Sequence, residues 1–166
     1  MAHYVQGDPA LQSGSATDVA IGYAGGDRRI EITATQTGSS TFGLFNGLPI
    51  ANMLSETSHW APSATVNPLD NTYQITFSFA STIRLEEYHF ELSGGNAWGT
   101  WTVEVFRGAQ WEALAATDVL GGAKYVEHAI DSDKQTGVSG FRLTGDSGIV
   151  SGAPYVENIR FFGTLE

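Results

Sequence analysis

The sequence predicts an all-β domain built as an antiparallel jelly-roll β-sandwich, and three observations predict it. Short segments rich in Val, Ile, Thr, Phe, Tyr and Trp recur from Arg28 onward, separated by clusters of Gly, Ser, Asn and Asp. Within several of them apolar and polar residues alternate, so one set faces a core and the other faces water. No segment holds a helical period beyond about two turns, residues 48–55 and 112–121 coming nearest. Many short strands joined by turns pack as a sandwich, because each sheet has one greasy face that another layer must cover.

Residues 1–27 are rich in Gly, Ser, Ala and Asp and read as an N-terminal arm or a leading strand. Residues 28–166 read as the sandwich. Its predicted strands are 28–35, 72–80, 82–92, 100–107, 111–116, 124–130, 138–144 and 156–162. Alternation sets Tyr73, Ile75, Phe77 and Phe79 against Gln74, Thr76 and Ser78, and Trp101, Val103 and Val105 against Thr102 and Glu104. In 82–92 the apolar phase slips between Leu85 and Tyr88. One extra residue near Glu86 and Glu87, a β-bulge, restores Ile83, Leu85, Tyr88, Phe90 and Leu92 to one face. His89 falls on the polar side and is expected in solvent.

A chain of 166 residues, 42% hydrophobic and only 16% charged, is long and apolar enough for one folded domain. Eighteen acidic against eight basic residues give a net charge of −10, which disfavours phosphate backbones and suits a neutral ligand or a cation. The absence of cysteine excludes disulfides and thiolate zinc sites. The N-terminus lacks the basic start and apolar run of a signal peptide, and no stretch reaches the roughly 20 apolar residues of a membrane-spanning helix. Action outside a cell would then require release by lysis or inside a particle.

Catalytic patterns fall away. Gly145-Asp146-Ser147-Gly148 copies the nucleophile tetrapeptide of trypsin-like proteases, with His59 upstream, but no second Gly and Pro follow, and geometry defines a triad. A turn between the last two strands is the expected reading. Glu86 and Glu87, adjacent in a strand, point to opposite faces and cannot flank one glycosidic bond. His3, His59, His89 and His128 lack metal-ligand spacing. Asp131-Ser132-Asp133 opens like a helix–loop–helix calcium loop, yet Gly137 falls at position seven and Arg142 stands where a bidentate Glu belongs.

Read in order, several pieces resemble the discoidin, or coagulation-factor C-type, domain of the galactose-binding-like superfamily. They are Ile32-Thr33-Ala34-Thr35 with Gly38-Ser39-Ser40, Leu44-Phe45-Asn46-Gly47, Ser58-His59-Trp60, and Tyr73 to Phe79. Thr102 to Trp111, Phe141-Arg142-Leu143, and Glu157 to Gly163 complete the set, over roughly residues 30–163. Asn46 stands where the family has Asp, and the family's Asp-Leu-Gly signature is missing. The resemblance implies an eight-stranded antiparallel sandwich whose loops at one end hold ligand. Many relatives bind terminal galactose-type sugars, others lipid head groups, peptides or proteins. It also implies a structural calcium ion at Asn46, Ser58 and Glu157, with only Glu157 bringing charge.

Sugar recognition needs an aromatic face for the apolar side of the ring and fixed polar groups around it. On the glycine-rich stretch Ser93 to Gly99, Trp98 is expected to stack and Asn96 to bond hydroxyls. Arg28 and Arg29 are expected near the same end as donors, and His59 at the mouth beside Trp60, itself read as core. The resulting expectation is a non-catalytic glycan-binding module for adhesion or targeting, in a phage-like particle facing bacterial surface glycans. The alternative is a decoration or adaptor protein docking on a capsid, tail or other subunit, with residues 1–27 as the working part.

Overall fold

A computed structural model describes residues 3–4, 17–24, 28–37, 59–60, 67–68, 74–93, 100–119, 124–147, 149–150 and 155–166, with side chains given for 32, 33, 35, 74–89, 100–114, 127–146 and 159–166. Among these residues the chain forms β1 (His3–Tyr4), β2 (Thr17–Ala24), β3 (Arg28–Thr37), β4 (His59–Trp60), β5 (Asn67–Pro68) and β6 (Gln74–Ser93). It continues through β7 (Thr100–Arg107), β8 (Gln110–Val119), β9 (Lys124–Ala129), β10 (Val138–Ser147), β11 (Ile149–Val150) and β12 (Tyr155–Leu165). Described pairings are all antiparallel. The predicted strands are present. Residues 112–119, which came near a helical period, belong to β8, and the other such stretch, 48–55, lies outside the described residues.

The long strand β6 serves two layers. Its first half lies between β3 and β10, in a sheet ordered β2–β3–β6–β10–β7–β8. Its second half lies between β9 and β12, and β1 and β4 pair with the other side of β12. The switch occurs where β10 passes from Gly140, opposite Ser78, to Val138, opposite Ile83. Residues 79–82 bend out there, with Ala80, Ser81 and Thr82 exposed. Small side chains at those three positions let the chain turn without burying bulk. Sequence alternation suggested two strands, 72–80 and 82–92; the structure joins them as one bent strand.

Aromatic contacts show the second half folded back over the first. Phe77 and Phe141, register partners in one layer, meet Phe161 of the other at centroid distances of 5.5 and 5.0 Å. Tyr88 meets Phe141 at 4.9 Å. Ile75, Trp101, Val103, Val105 and Leu143 line one inner face, and Ile83, Leu85 and Ile159 the other, all fully buried. Each such side chain stabilises the fold by about 1.5–3 kcal/mol through area removed from water.

The bulge expected near Glu86 is present: Leu85 pairs with Gly163 and Glu87 with Phe162, leaving Glu86 as the extra residue. The phase slip thus puts Tyr88 inward as the sequence requires. His89 corrects the expectation of solvent: it is only 8% exposed. Its Nε2 lies 3.1 Å from Glu87 Oε2, its Nδ1 3.8 Å from Glu127 Oε1, and its ring 4.3 Å from that of Phe162. Glu87 lies two residues away on β6 itself, whereas Glu127 of β9 and Phe162 of β12 come from the strands on either side, which a one-strand reading cannot see. Gly145, Asp146 and Ser147 lie within β10 rather than in the expected turn.

Strand registers also sort the connections. Thr37 and Thr144 face Gln74, while Ser147 and Val119 face Thr100, so these strand termini share one end of the first layer. In the second layer Ser93 faces Tyr155 and Leu92 faces Lys124. The step from Val119 to Lys124 covers at most about 19 Å of chain, which brings both sets to a common rim. At the far end lie the bend at 79–82, the Arg107–Gln110 hairpin and the turn over 131–137.

Candidate functional site

The rim is where the sequence locates ligand, and the backbone fixes part of it. Ser93 and Thr100 bound the stretch that carries Asn96 and Trp98, and both stand at the rim. Asn96 and Trp98 themselves lie outside the described residues. His59, in β4, pairs directly with Glu157 of β12, and Trp60 with Val156. One residue expected at the sugar and one expected at calcium are therefore cross-strand neighbours. Asn46 and Ser58, the other expected calcium ligands, lie outside the described residues.

Arg28 and Arg29 are placed by their backbone alone. They begin β3, opposite Ala24 and Tyr23. From Thr37 at the rim, ten extended residues carry the strand about 30 Å away.

A second surface was missed by the sequence reading. On the outer face of the first layer, Trp111 of β8 pairs with Phe106 of β7, and Phe106 with Gly140 of β10. The Phe106 and Trp111 rings lie 5.1 Å apart. A Cβ at Gly140 would come within 3.2 Å of both Trp111 Cη2 and Phe106 Cβ, so the missing side chain is what admits the indole there. The Arg142 guanidinium carbon lies 4.2 Å from the centre of the Trp111 ring, a cation–π contact.

That guanidinium is held from a second side. Arg142 Nε and Nη2 donate to Glu104 Oε2 and Oε1 at 2.6 and 2.8 Å, and Thr144 Oγ1 donates to Glu104 Oε2 at 3.0 Å. The two charged side chains are only 17% and 16% exposed, and a paired fork of this kind is strongly oriented. Thr102 Oγ1 donates to Asp146 Oδ2 at 2.5 Å on the same face. Ser78 and Ala113, on either flank, are exposed. The available signal was that Thr102 and Glu104 alternate outward, and Arg142 sits in an outward position between apolar Phe141 and Leu143; what it lacked was the register joining β7, β8 and β10.

Among the described residues no group of three or more His, Asp or Glu side chains is arranged to hold a metal ion. The turn at 131–137 is closed by Lys134 N–H donating to Asp131 O at 2.8 Å, and Lys134 Nζ donates to Ala113 O at 2.7 Å.

No family model matches the chain, and no curated protein matches it. Among solved structures, it is similar to the family 32 carbohydrate-binding module of NanJ from C. perfringens in complex with galactose. That likeness has a TM-score of 0.54 at 8% identity, over 79% of this chain and 93% of the module. Allantoicase from Saccharomyces cerevisiae aligns with a TM-score of 0.54 at 19% identity, over 80% of this chain and 40% of the enzyme. A family 29 carbohydrate-binding module complexed with mannohexaose aligns over 99% of this chain and 94% of its own, at 12% identity and a TM-score of 0.49. A binding module and an enzyme share this architecture, so fold alone assigns neither role. At these identities the likeness shows the fold alone and does not single out the discoidin type: the chain is an antiparallel jelly-roll β-sandwich.

Proposed function

We propose that the chain is a non-catalytic carbohydrate-binding module that takes its sugar at the rim, with Trp98 stacking on the ring and Asn96 bonding its hydroxyls. The observation that carries this reading is the gathering of strand termini at that rim, where Ser93 and Thr100 border the stretch bearing both residues. A ligand seated among connections held by a rigid sandwich is the usual arrangement for recognition loops. The galactose-bound module of the same fold is consistent with it. His59, paired with Glu157 beside that rim, is the third proposed contact. Net charge of −10 favours a neutral ligand.

A glycan array probed with the wild-type chain and with Trp98→Ala tests the proposal. Binding to one class of terminal sugar, weakened about tenfold or more by the substitution, is expected, the scale of a lost aromatic anchor. Undiminished binding by the variant removes Trp98 from the site. An array with no bound glycan overturns the function itself.

A further inference from the structure

We infer that the outer face of the first layer is a second carbohydrate surface, which takes an extended, neutral polysaccharide laid across the strands from Trp111 toward β3. It extends the carbohydrate reading to another part of the molecule and does not depend on Trp98 or Asn96.

The argument begins with what the face displays. The outward positions form two rows that cross five strands. One runs Trp111, Phe106, Gly140, Ser78, Thr33; the other runs Ala113, Glu104, Arg142, Thr76, Thr35. At a strand spacing of about 4.8 Å, each row is about 19 Å long. Its period is close to the repeat of an extended hexopyranose chain, so successive sugars meet equivalent groups.

The chemistry along the rows is graded. Phe106 and the part of Trp111 that the Arg142 guanidinium leaves uncovered give aromatic surface at one end, suited to the C–H face of a sugar ring. Gly140 keeps the track low beside them. Arg142 is pinned between Trp111 and Glu104, and neither carboxylate oxygen uses its Nη1, which leaves an oriented donor for a hydroxyl. Thr76, Ser78, Thr33 and Thr35 add hydroxyls that both donate and accept.

Charge and shape select the occupant. Glu104 neutralises Arg142, and Asp146 leaves the face slightly negative, so an anionic polymer is repelled. A protein partner would want an apolar centre to its footprint. Past the aromatic pair the first row offers only glycine and hydroxyl side chains, and the second carries the paired Glu104 and Arg142 between Ala113 and two threonines. A polymer of neutral sugars matches both features. Ala113 is exposed at one end of its row and Ser78 is exposed one strand before the other end, so the internal units of a polymer are what such a track reads.

The experiment is native affinity electrophoresis of the full chain in gels containing soluble neutral glucan, mannan, xylan or galactan, beside calorimetric titration with the corresponding free monosaccharides. Two variants are compared with wild type, and their folding is checked by thermal melts. Trp111→Ala removes the platform. Ser78→Arg, at an exposed position, blocks the track while leaving the core untouched. Retardation by at least one polymer, weakened about tenfold or more in both variants, is the expected result. Equal retardation of wild type and of folded Ser78→Arg and Trp111→Ala overturns the second surface, even if a rim sugar still binds. Lack of retardation by all four polymers overturns it as well. A monosaccharide bound through Trp98 alone upholds the rim and not the face, so the two readings fail separately.

Discussion

Single residues carry strain and order that the sequence hides. The Arg107–Gln110 hairpin turns through Gly108 and Ala109 with φ of 55° and 66°. Two positive φ values in a two-residue loop define the tight turn that matches strand twist, and Asn and Gly are its natural occupants. Ala109 has a Cβ that crowds its own carbonyl there, at a cost of about 1 kcal/mol. Replacing Ala109 with Asn should therefore stabilise the chain by about 0.5–1 kcal/mol. A melt read by circular dichroism should shift upward by about 2–4 °C per kcal/mol for a chain of this size. Alternation correctly assigned the inward partners at this scale: Ile75, Phe77, Trp101 and Val103 are all fully buried. It failed for His89 and for the Trp111–Arg142 pair, since their surroundings come from other strands and only register reveals them. Asn96, Trp98, Asn46 and Ser58 lie outside the described residues, so only the strands flanking them bear on the rim.

At the level of elements, β6 and its bulge decide how the strands mesh. Glu86 is the extra residue, and opposite it the partner strand must come close at Gly163. A Cβ at Gly163 would run into the carbonyl of Arg84 and the Cα of Leu85. Backbone in a paired strand cannot yield as a side-chain tip can, so Gly163→Ala should destabilise by about 3 kcal/mol. Urea unfolding would show this as a lower midpoint with an unchanged slope; an unchanged midpoint would mean that the bulge relaxes freely. The bulge was legible from the break in apolar phase between Leu85 and Tyr88. The glycine's part in it was not, because Gly163 is distant in sequence and silent in any pattern of hydrophobicity.

For the whole molecule, residues 1–27 matter more than an appended arm would. His3–Tyr4 pairs with β12, and Thr17–Ala24 pairs along eight residues of β3. Removing residues 1–27 should leave β3 as a bare edge, lower the melting temperature and promote association through the exposed strand. Light scattering and a melt on the truncated chain check this; a truncated chain as stable and monodisperse as the parent would show β2 to be dispensable. Any test of partner docking through this region must separate loss of a partner from loss of an edge strand. The sandwich class itself was legible because alternation and turn residues are local signals, whereas the strand that β3 pairs with on each side is set by partners that no local signal encodes.

Because a single strand, bent at residues 79–82, belongs to both layers, the described strands of the two layers are tied together and should open as one. Amide protons on the two sides of that bend should exchange with deuterium through one shared global opening, at matched rates. Each carries the protection of the entire domain rather than of its own sheet.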